Sequence, residues 1–412
     1  MHMKTTTLLA SVLLVTGLGL PLASMAEELH SRIDIDATAG ETSIIIAPFS
    51  PLSKVIEADL QRSGRFALMD PARIGGNLSP EALRATGAEY AVVGSHNGDM
   101  NFQLINLRTG QAEGAFRIPS HQNQRRMAHK AADLVFEKLT GVKGAFDTRI
   151  AYVSASGPAK NQTYQLIVSD ADGFTPRTIV SSRKPVMSPS WSPDGRQVAY
   201  VSYETGRPVV YAQDLASGSK RTISDPNRSS ISPSWSPDGR SIAYSVAERG
   251  NYNIVVAGAN GGGARQITNT RGINAEPQWA DSNTIVFTSD RSGQPQLYKT
   301  TASGGGESRM SFSGGYNAGA SIAGNSVAMV RQTGGTSSIT IMDAATKQER
   351  TISRGTQDDS PAISPNGMMV LYATDAGGRN SLAVASDNGK AHQSLYSQAG
   401  DVRDPAWSPY LD

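Results

Sequence analysis

The chain of 412 residues contains no cysteine and only six histidines. The first absence removes disulfides, thiol nucleophiles and thiolate metal sites together. The second leaves little for acid–base or metal chemistry, and the six are scattered, with no His-x-x-x-His pair. An excess of one charge is also lacking. Lys+Arg number 38 against 36 Asp+Glu, a formal charge of +2. Neither nucleic acid nor an anionic membrane is expected as the main partner. Charged residues are only 18%, whereas Gly is 41 and Pro 21. That balance favours many short strands joined by turns over a helical bundle.

The one long apolar stretch lies at the start. Lys4 precedes Leu8-Leu9-Ala10-Ser11-Val12-Leu13-Leu14-Val15, then Pro21 and Ala23-Ser24-Met25-Ala26. A basic start, a short apolar heart and small residues at Ser24 and Ala26 predict an export signal over residues 1–26, cut after Ala26. A membrane anchor is the alternative. Gly17, Gly19 and Pro21 shorten the usable helix below the roughly 20 residues that spanning needs.

The second half is a repeat. All four tryptophans stand in or beside one phrase: Pro189-Ser190-Trp191-Ser192-Pro193-Asp194-Gly195, Pro233-Ser234-Trp235-Ser236-Pro237-Asp238-Gly239, Pro277-Gln278-Trp279-Ala280-Asp281 and Pro405-Ala406-Trp407-Ser408-Pro409. Pro361-Ala362-Ile363-Ser364-Pro365-Asn366-Gly367 is a worn copy, and Gly319-Ala320-Ser321-Ile322-Ala323 a degenerate one. Trp191, Trp235 and Trp279 are 44 residues apart, as are Ile363 and Trp407. An alternating strand follows each copy, such as Val198-Ala199-Tyr200-Val201, and two more short strands complete the unit. Four strands per period of about 40–45 residues make a propeller blade. The chain enters the array at Arg149 in a second strand and leaves it at Trp407 in a first strand. Pro405-Ala406-Trp407 is therefore predicted to complete the blade begun at Arg149 and close a ring of six. The fold class is mixed: an α/β domain at 37–146, then a six-bladed β-propeller at 147–412 closed by the C-terminal strand.

In the α/β domain, Ser43 to Phe49 and Phe66 to Met69 read as strands and Leu52 to Ser63 as a helix. Ser79-Pro80 starts a short helix, Tyr90 to Leu107 forms a hairpin, and Gln124 to Leu139 is an amphipathic helix. Gly75-Gly76-Asn77 follows no strand-to-helix pattern and reads as a loop rather than a nucleotide site. Before this domain, Leu29, Ser31, Ile33 and Ile35 alternate with polar residues. Such a strand near a chain end adds to a sheet edge in its own protein or in a partner.

The signal, the α/β domain, the Pro-x-Trp-Ser-Pro-Asp-Gly repeats, Val135 to Phe146 before Thr148-Arg149-Ile150-Ala151-Tyr152, and the terminal Trp407-Ser408-Pro409-Tyr410-Leu411 closely resemble the TolB family of the Tol–Pal system. The likeness covers nearly all of the chain after residue 26. It implies a periplasmic protein acting in outer-membrane integrity and in envelope constriction during cell division. It implies that the lipoprotein Pal binds at the propeller mouth through Arg228, Ser229, Ser230, Ile231, Ser232, Asn274, Ala275 and Glu276. It also implies that TolA binds the segment 27–36, through Arg32, Ile33, Asp34, Ile35 and Asp36. The sequence departs from the family at Ser229 and Ser230, where His and Asn are common, and at Ala275, where Thr is common.

No cofactor, metal or catalytic residue is expected. The nearest approach to a Gly-x-Ser-x-Gly elbow is Gly319 to Ala323, inside a blade phrase. Asp170-Ala171-Asp172-Gly173 suggests calcium, but the remainder of a twelve-residue loop is missing, so a turn is expected. Arg207, Arg249, Arg291, Arg331 and Arg379 recur on the mouth face among acids, which suits a folded protein partner with polar contacts. Two other readings stay open: an exported hydrolase or lyase with its active site in the propeller, and a sugar- or peptide-binding module.

Overall fold

The structure is a computed structural model describing residues 27–35, 41–375, 377–398 and 400–411. The predicted signal and Asp36 lie outside the described residues. The repeats fold into six antiparallel blades, each with four strands from the repeat region. In the second blade these are Val186–Trp191, Gln197–Ser202, Val209–Asp214 and Lys220–Thr222, running from channel to rim.

The repeated phrase has a physical reason at each position. Ser192 Oγ donates to Asp194 Oδ1 at 2.5 Å, the Arg196 N–H donates to the same oxygen at 3.0 Å, and Gln197 N–H donates to Ser192 Oγ at 2.9 Å. Gly195 takes φ +65°, which closes the turn at little steric cost. Ser236, Asp238 and Gly239 repeat this arrangement, as do Ser364, Asn366 and Gly367. The prolines inside the innermost strands cannot donate to a ladder. Each copy avoids the conflict with a bulge. In the second blade the register shifts between Met187 and Ser190, and Ser188, just before Pro189, sits at φ +51°. Ser232, Glu276, Gly319, Ser360 and Asp404 hold the equivalent positions at φ +53°, +55°, +61°, +52° and +48°.

Tryptophans seal the seams between blades. Trp191 Nε1 donates to the Ala406 carbonyl and Trp279 Nε1 to that of Ser234, both at 3.2 Å. Gly400–Trp407 pairs antiparallel with Arg149–Ser156, so the last strand completes the first blade as the strand arithmetic predicts. Trp407 Nε1 donates to Thr148 Oγ1 at 2.8 Å, and Ser408 exchanges two bonds with the Arg149 backbone.

The α/β unit is a five-stranded sheet with the order Phe66–Met69, Thr42–Ile46, Tyr90–Asn97, Asp99–Asn106, Gln111–Ile118. Successive residues of Thr42–Ile46 point to opposite faces. Ile44 and Ile46 pack under helices α1 (Ser53–Arg62) and α3 (Gln124–Thr140). Ile45 packs with Leu83 of the short helix α2 (Pro80–Ala85), which Ser79 caps through the Ala82 N–H. The α1/α3 face shares one continuous core with the propeller, including Phe136, Phe146, Tyr152, Leu382 and Trp407. The connecting segment is anchored by Asp133, whose carboxylate accepts the N–H groups of Phe146 and Asp147 at 2.7 and 3.1 Å. Gly144 is required there, because a Cβ would lie 2.3 Å from the Asp133 carboxylate.

The N-terminal strand His30–Ile35 is the fifth strand of the sixth blade, antiparallel to Ala391–Tyr396 from His30↔Tyr396 to Ile35↔Ala391. The alternation identifies a sheet-edge strand. The acceptor is the propeller rather than the α/β sheet. Leu29 is buried and its N–H reaches the Gly173 carbonyl, while Glu27 accepts from Ser397.

Candidate protein interface

Strand direction decides which residues share a face. Inner strands run from the interblade loops toward the Trp phrases, so interblade loops and the turns between second and third strands gather at one mouth. The Asp-Gly turns and the α/β unit lie at the other end. At the mouth a cavity of about 470 Å³ is lined by Glu276, Asp359, Asp404 and Arg403 among others. Loss of water in the channel wall pushes the carboxyls of Glu276 and Asp404 up from the ordinary range, against hydrogen bonds from Thr288 and Gly319 to the first and from the Ser188 N–H to the second.

The loop positions named from the sequence divide into two groups. Arg228 is half-exposed and pairs with Glu248 at 2.8 Å; Ser229, Ile231 and Ser232 are partly exposed. Ser230 and Asn274 are fully buried, and Ala275 is 8% exposed. Asn274 is a structural hub. Its Oδ1 accepts from Ser289 Oγ at 2.9 Å and Arg291 Nη2 at 2.6 Å, and its Nδ2 donates to the Tyr252 carbonyl at 3.2 Å. Glu276 faces the channel and bridges to the next blade at the Gly319 N–H. The arginine series divides likewise. Arg291 pairs with Glu307, Arg331 pairs with Glu349 at 2.9 Å, and Arg207 donates to the Asn227 carbonyl, so these three brace loops.

Two mouth residues were not singled out from the sequence. Ile273 is 41% exposed and Phe312 66% exposed, on successive interblade loops, with the Arg309 guanidinium 5.5 Å from the Phe312 ring. The available signal was a large apolar residue in a loop that the other copies fill with polar ones. Buried apolar anchors inside a polar rim carry most of the energy at protein interfaces.

At the N-terminus, Arg32 is exposed and bonds to Asp34 at 3.1 Å, while Ile33, Asp34 and Ile35 are half-buried. The strand is held by a backbone ladder and by stacking of His30 on Tyr396 at 5.3 Å between ring centroids.

A third cluster lies between the α/β unit and the first blade. His129 of α3 meets Asp59 of α1 at 2.6 Å and Asp172 of the propeller at 3.6 Å. The three side chains converge closely enough to ligate a metal. Arg62 is 3.0 Å from Asp59, and Arg125 pairs with Asp172. Two fixed guanidinium charges beside a divalent ion would oppose its binding, so the residues suit a salt-bridge junction better than a metal. Burial opposes charge on His129, but Asp59 and Asp172 outweigh it and raise its pKa to about 9. The Asp170 to Gly173 segment is the expected turn; its second aspartate is a clamp to α3.

Ser50 Oγ lies 3.2 Å from His96 Nδ1, a nucleophile–base distance, but this pair is in the α/β unit and not in the propeller. Gly319 to Ala323 is an inner blade strand. No helix among the described residues is long and apolar enough to cross a membrane.

The TolB beta propeller domain family matches residues 136–411. The chain is 43% identical over 425 aligned residues to the Tol-Pal system protein TolB of Xanthomonas campestris pv. campestris strain B100, covering 96% of this chain and 97% of that one. The protein of the same name from Xanthomonas axonopodis pv. citri is also 43% identical, with the same coverage. The crystal structure of TolB from Acinetobacter baumannii superposes with a TM-score of 0.85 at 33% identity, covering 93% of this chain and all of that one. A chain of a nidogen/laminin complex, 13% identical with a TM-score of 0.51, covers 64% of this chain and all of that one, and shares the fold alone. The chain belongs to the TolB family of Tol-Pal system proteins.

Proposed function

We propose that this chain is an exported, periplasmic, non-enzymatic adaptor that binds Pal at the propeller mouth and TolA through residues 27–36. The similarity to Tol-Pal system proteins along almost the whole chain carries this reading. In it, residues 1–26 are a cleaved signal, 37–146 the α/β domain and 147–412 the propeller. The adaptor supports outer-membrane integrity and constriction during division.

At the mouth, Arg228, Ile231, Ser232 and Glu276 meet Pal together with Ile273 and Phe312. Buried Ser230, Asn274 and Ala275 hold the loops in shape rather than touching the partner. The departures from family residues therefore differ in consequence. Ser229 alters a contact, whereas Ser230 and Ala275 alter loop packing.

TolA binding uses strand addition. The segment that would pair with TolA already pairs with Ala391–Tyr396. A partner either extends the blade beyond the free edge of His30–Ile35 or takes the strand from it. Capture with the purified protein from an envelope extract tests the reading. Retention of both Pal and TolA is expected, with TolA lost on deletion of residues 27–36. Retention of neither would contradict it.

A further inference from the structure

A cleft of about 800 Å³ lies at the end of the propeller opposite the mouth, between the first two blades and the start of α3. It is distinct from both proposed docking sites. Arg149, Arg177 and Arg196 line it. Arg149 begins the second strand of the first blade, Arg177 begins the outer strand of that blade, and Arg196 follows the Asp-Gly turn of the next. None of the three guanidinium groups makes a hydrogen bond or ion pair among the described residues; Asp194 attracts Arg196 only at longer range.

Two acids, Asp170 and Asp214, also line the cleft, and both are engaged locally. Asp170 Oδ2 accepts from Thr175 Oγ1 at 2.6 Å. Asp214 Oδ1 accepts the N–H groups of Ala216 and Ser217 at 3.1 and 2.7 Å, which hold its pKa below the ordinary range. The cap residue Asn123 brings the N-terminal end of the 17-residue α3 to the cleft wall. A helix N-terminus adds positive potential to that of the arginines. Concave walls strengthen such a field, and guanidinium forks match the two-oxygen geometry of carboxylate and phosphate.

We propose that this cleft is a binding site for an oxyanion-bearing ligand, held by Arg149, Arg177 and Arg196. The ligand is either a small free oxyanion or a run of side-chain carboxylates on a peptide, and the two share one recognition chemistry. The turn that supplies Asp170 and Thr175 also carries Asp172, which clamps α3, and Gly173, whose carbonyl accepts the Leu29 N–H. The occupied cleft would therefore touch the turn on which the N-terminal strand rests.

Calorimetric titration of the mature protein at low ionic strength tests this, with inorganic phosphate in one arm and hexaglutamate in the other. Comparison is with R149Q/R177Q/R196Q and with K160Q/R240Q/K299Q, which removes the same charge from exposed positions elsewhere. Binding of at least one probe, weakened about tenfold or more in the first variant and little changed in the second, is expected. Phosphate binding alone identifies a free oxyanion, and hexaglutamate binding alone identifies peptide carboxylates. Binding of neither probe, or equal weakening in the two variants, overturns the proposal. Matching circular dichroism and melting of the variants exclude misfolding as the cause, and R149K/R177K/R196K, which keeps charge but loses the forks, should bind at an intermediate level.

Discussion

Replacing Trp407 by alanine tests ring closure where the two ends of the propeller meet. The side chain is 8% exposed, belongs to the core shared with the α/β unit, and donates to Thr148 Oγ1 at 2.8 Å. Truncating a buried tryptophan typically costs about 3–5 kcal/mol, from lost burial and the cavity left behind. Trp407→Phe keeps most of the packing. Thr148 still donates to the Ala145 carbonyl at 2.6 Å, so that variant loses only one net hydrogen bond, about 1 kcal/mol. At roughly 2 °C per kcal/mol for a large domain, Trp407→Ala should lower the melting midpoint by about 6–10 °C. Trp235→Ala is the internal standard, because Trp235 is 7% exposed and packs in the seam between the second and third blades, neither of which contains the last strand. A latched ring predicts similar losses for the two, each in one cooperative transition followed by calorimetry and by hydrogen exchange of Arg149–Ser156. Loss below about 1 kcal/mol for Trp407→Ala, or fraying of the last strand while the other blades keep their protection, would show that the ring is not latched by its last strand.

Further predictions concern charge and the N-terminal strand. Asp404 has a folded-state pKa raised by burial, so its ionisation costs stability as pH rises from the unfolded value through the folded one. Asp404→Asn keeps an acceptor for the Ser188 N–H and suits φ +48°; it should stabilise the protein at neutral pH, with the gain shrinking as pH falls toward about 4 and gone below it, read from urea midpoints. His129 has the opposite charge and a raised pKa of about 9. Its contribution is complete below about 6.5 and is lost as pH rises from there through 9, so the stability gap between wild type and His129→Gln should narrow between about pH 6.5 and 9 and level off above. Deleting residues 27–35 removes the ladder to Ala391–Tyr396 and the buried Leu29. The product should stay folded with faster exchange of the Ala391–Tyr396 amides; unchanged exchange there would place the strand elsewhere in solution.

What the sequence revealed depended on range and repetition. The blades were legible because Trp191, Trp235 and Trp279 recur every 44 residues, and because Ser192, Asp194 and Gly195 form a turn whose chemistry is local. Closure by Gly400–Trp407 was legible as well, since only one arrangement leaves no inner edge unpaired. The partner of His30–Ile35 was not. Alternation identifies an edge strand but says nothing of an acceptor some 360 residues away. The junction of Asp59, His129 and Asp172 escaped for the same reason, being assembled from two helices and a propeller turn with no common spacing. Among the mouth residues, position in a loop was legible and side-chain direction was not. Asn274 reads as a polar loop residue, yet it is fully buried by bonds to Ser289, Arg291 and Tyr252.

A protein-docking surface at the propeller mouth must bind its partner in isolation. The most direct measurement is titration of the purified soluble domain of Pal into the mature protein and into Ser232→Arg. Ser232 is partly exposed on the mouth loop and already sits at φ +53°, so an unbranched arginine adds bulk and charge without a new backbone demand. Saturable binding to the wild type, weakened at least tenfold in the variant at an unchanged melting midpoint, is predicted. Absence of binding to the wild type, or equal affinity in both proteins, would contradict the claim.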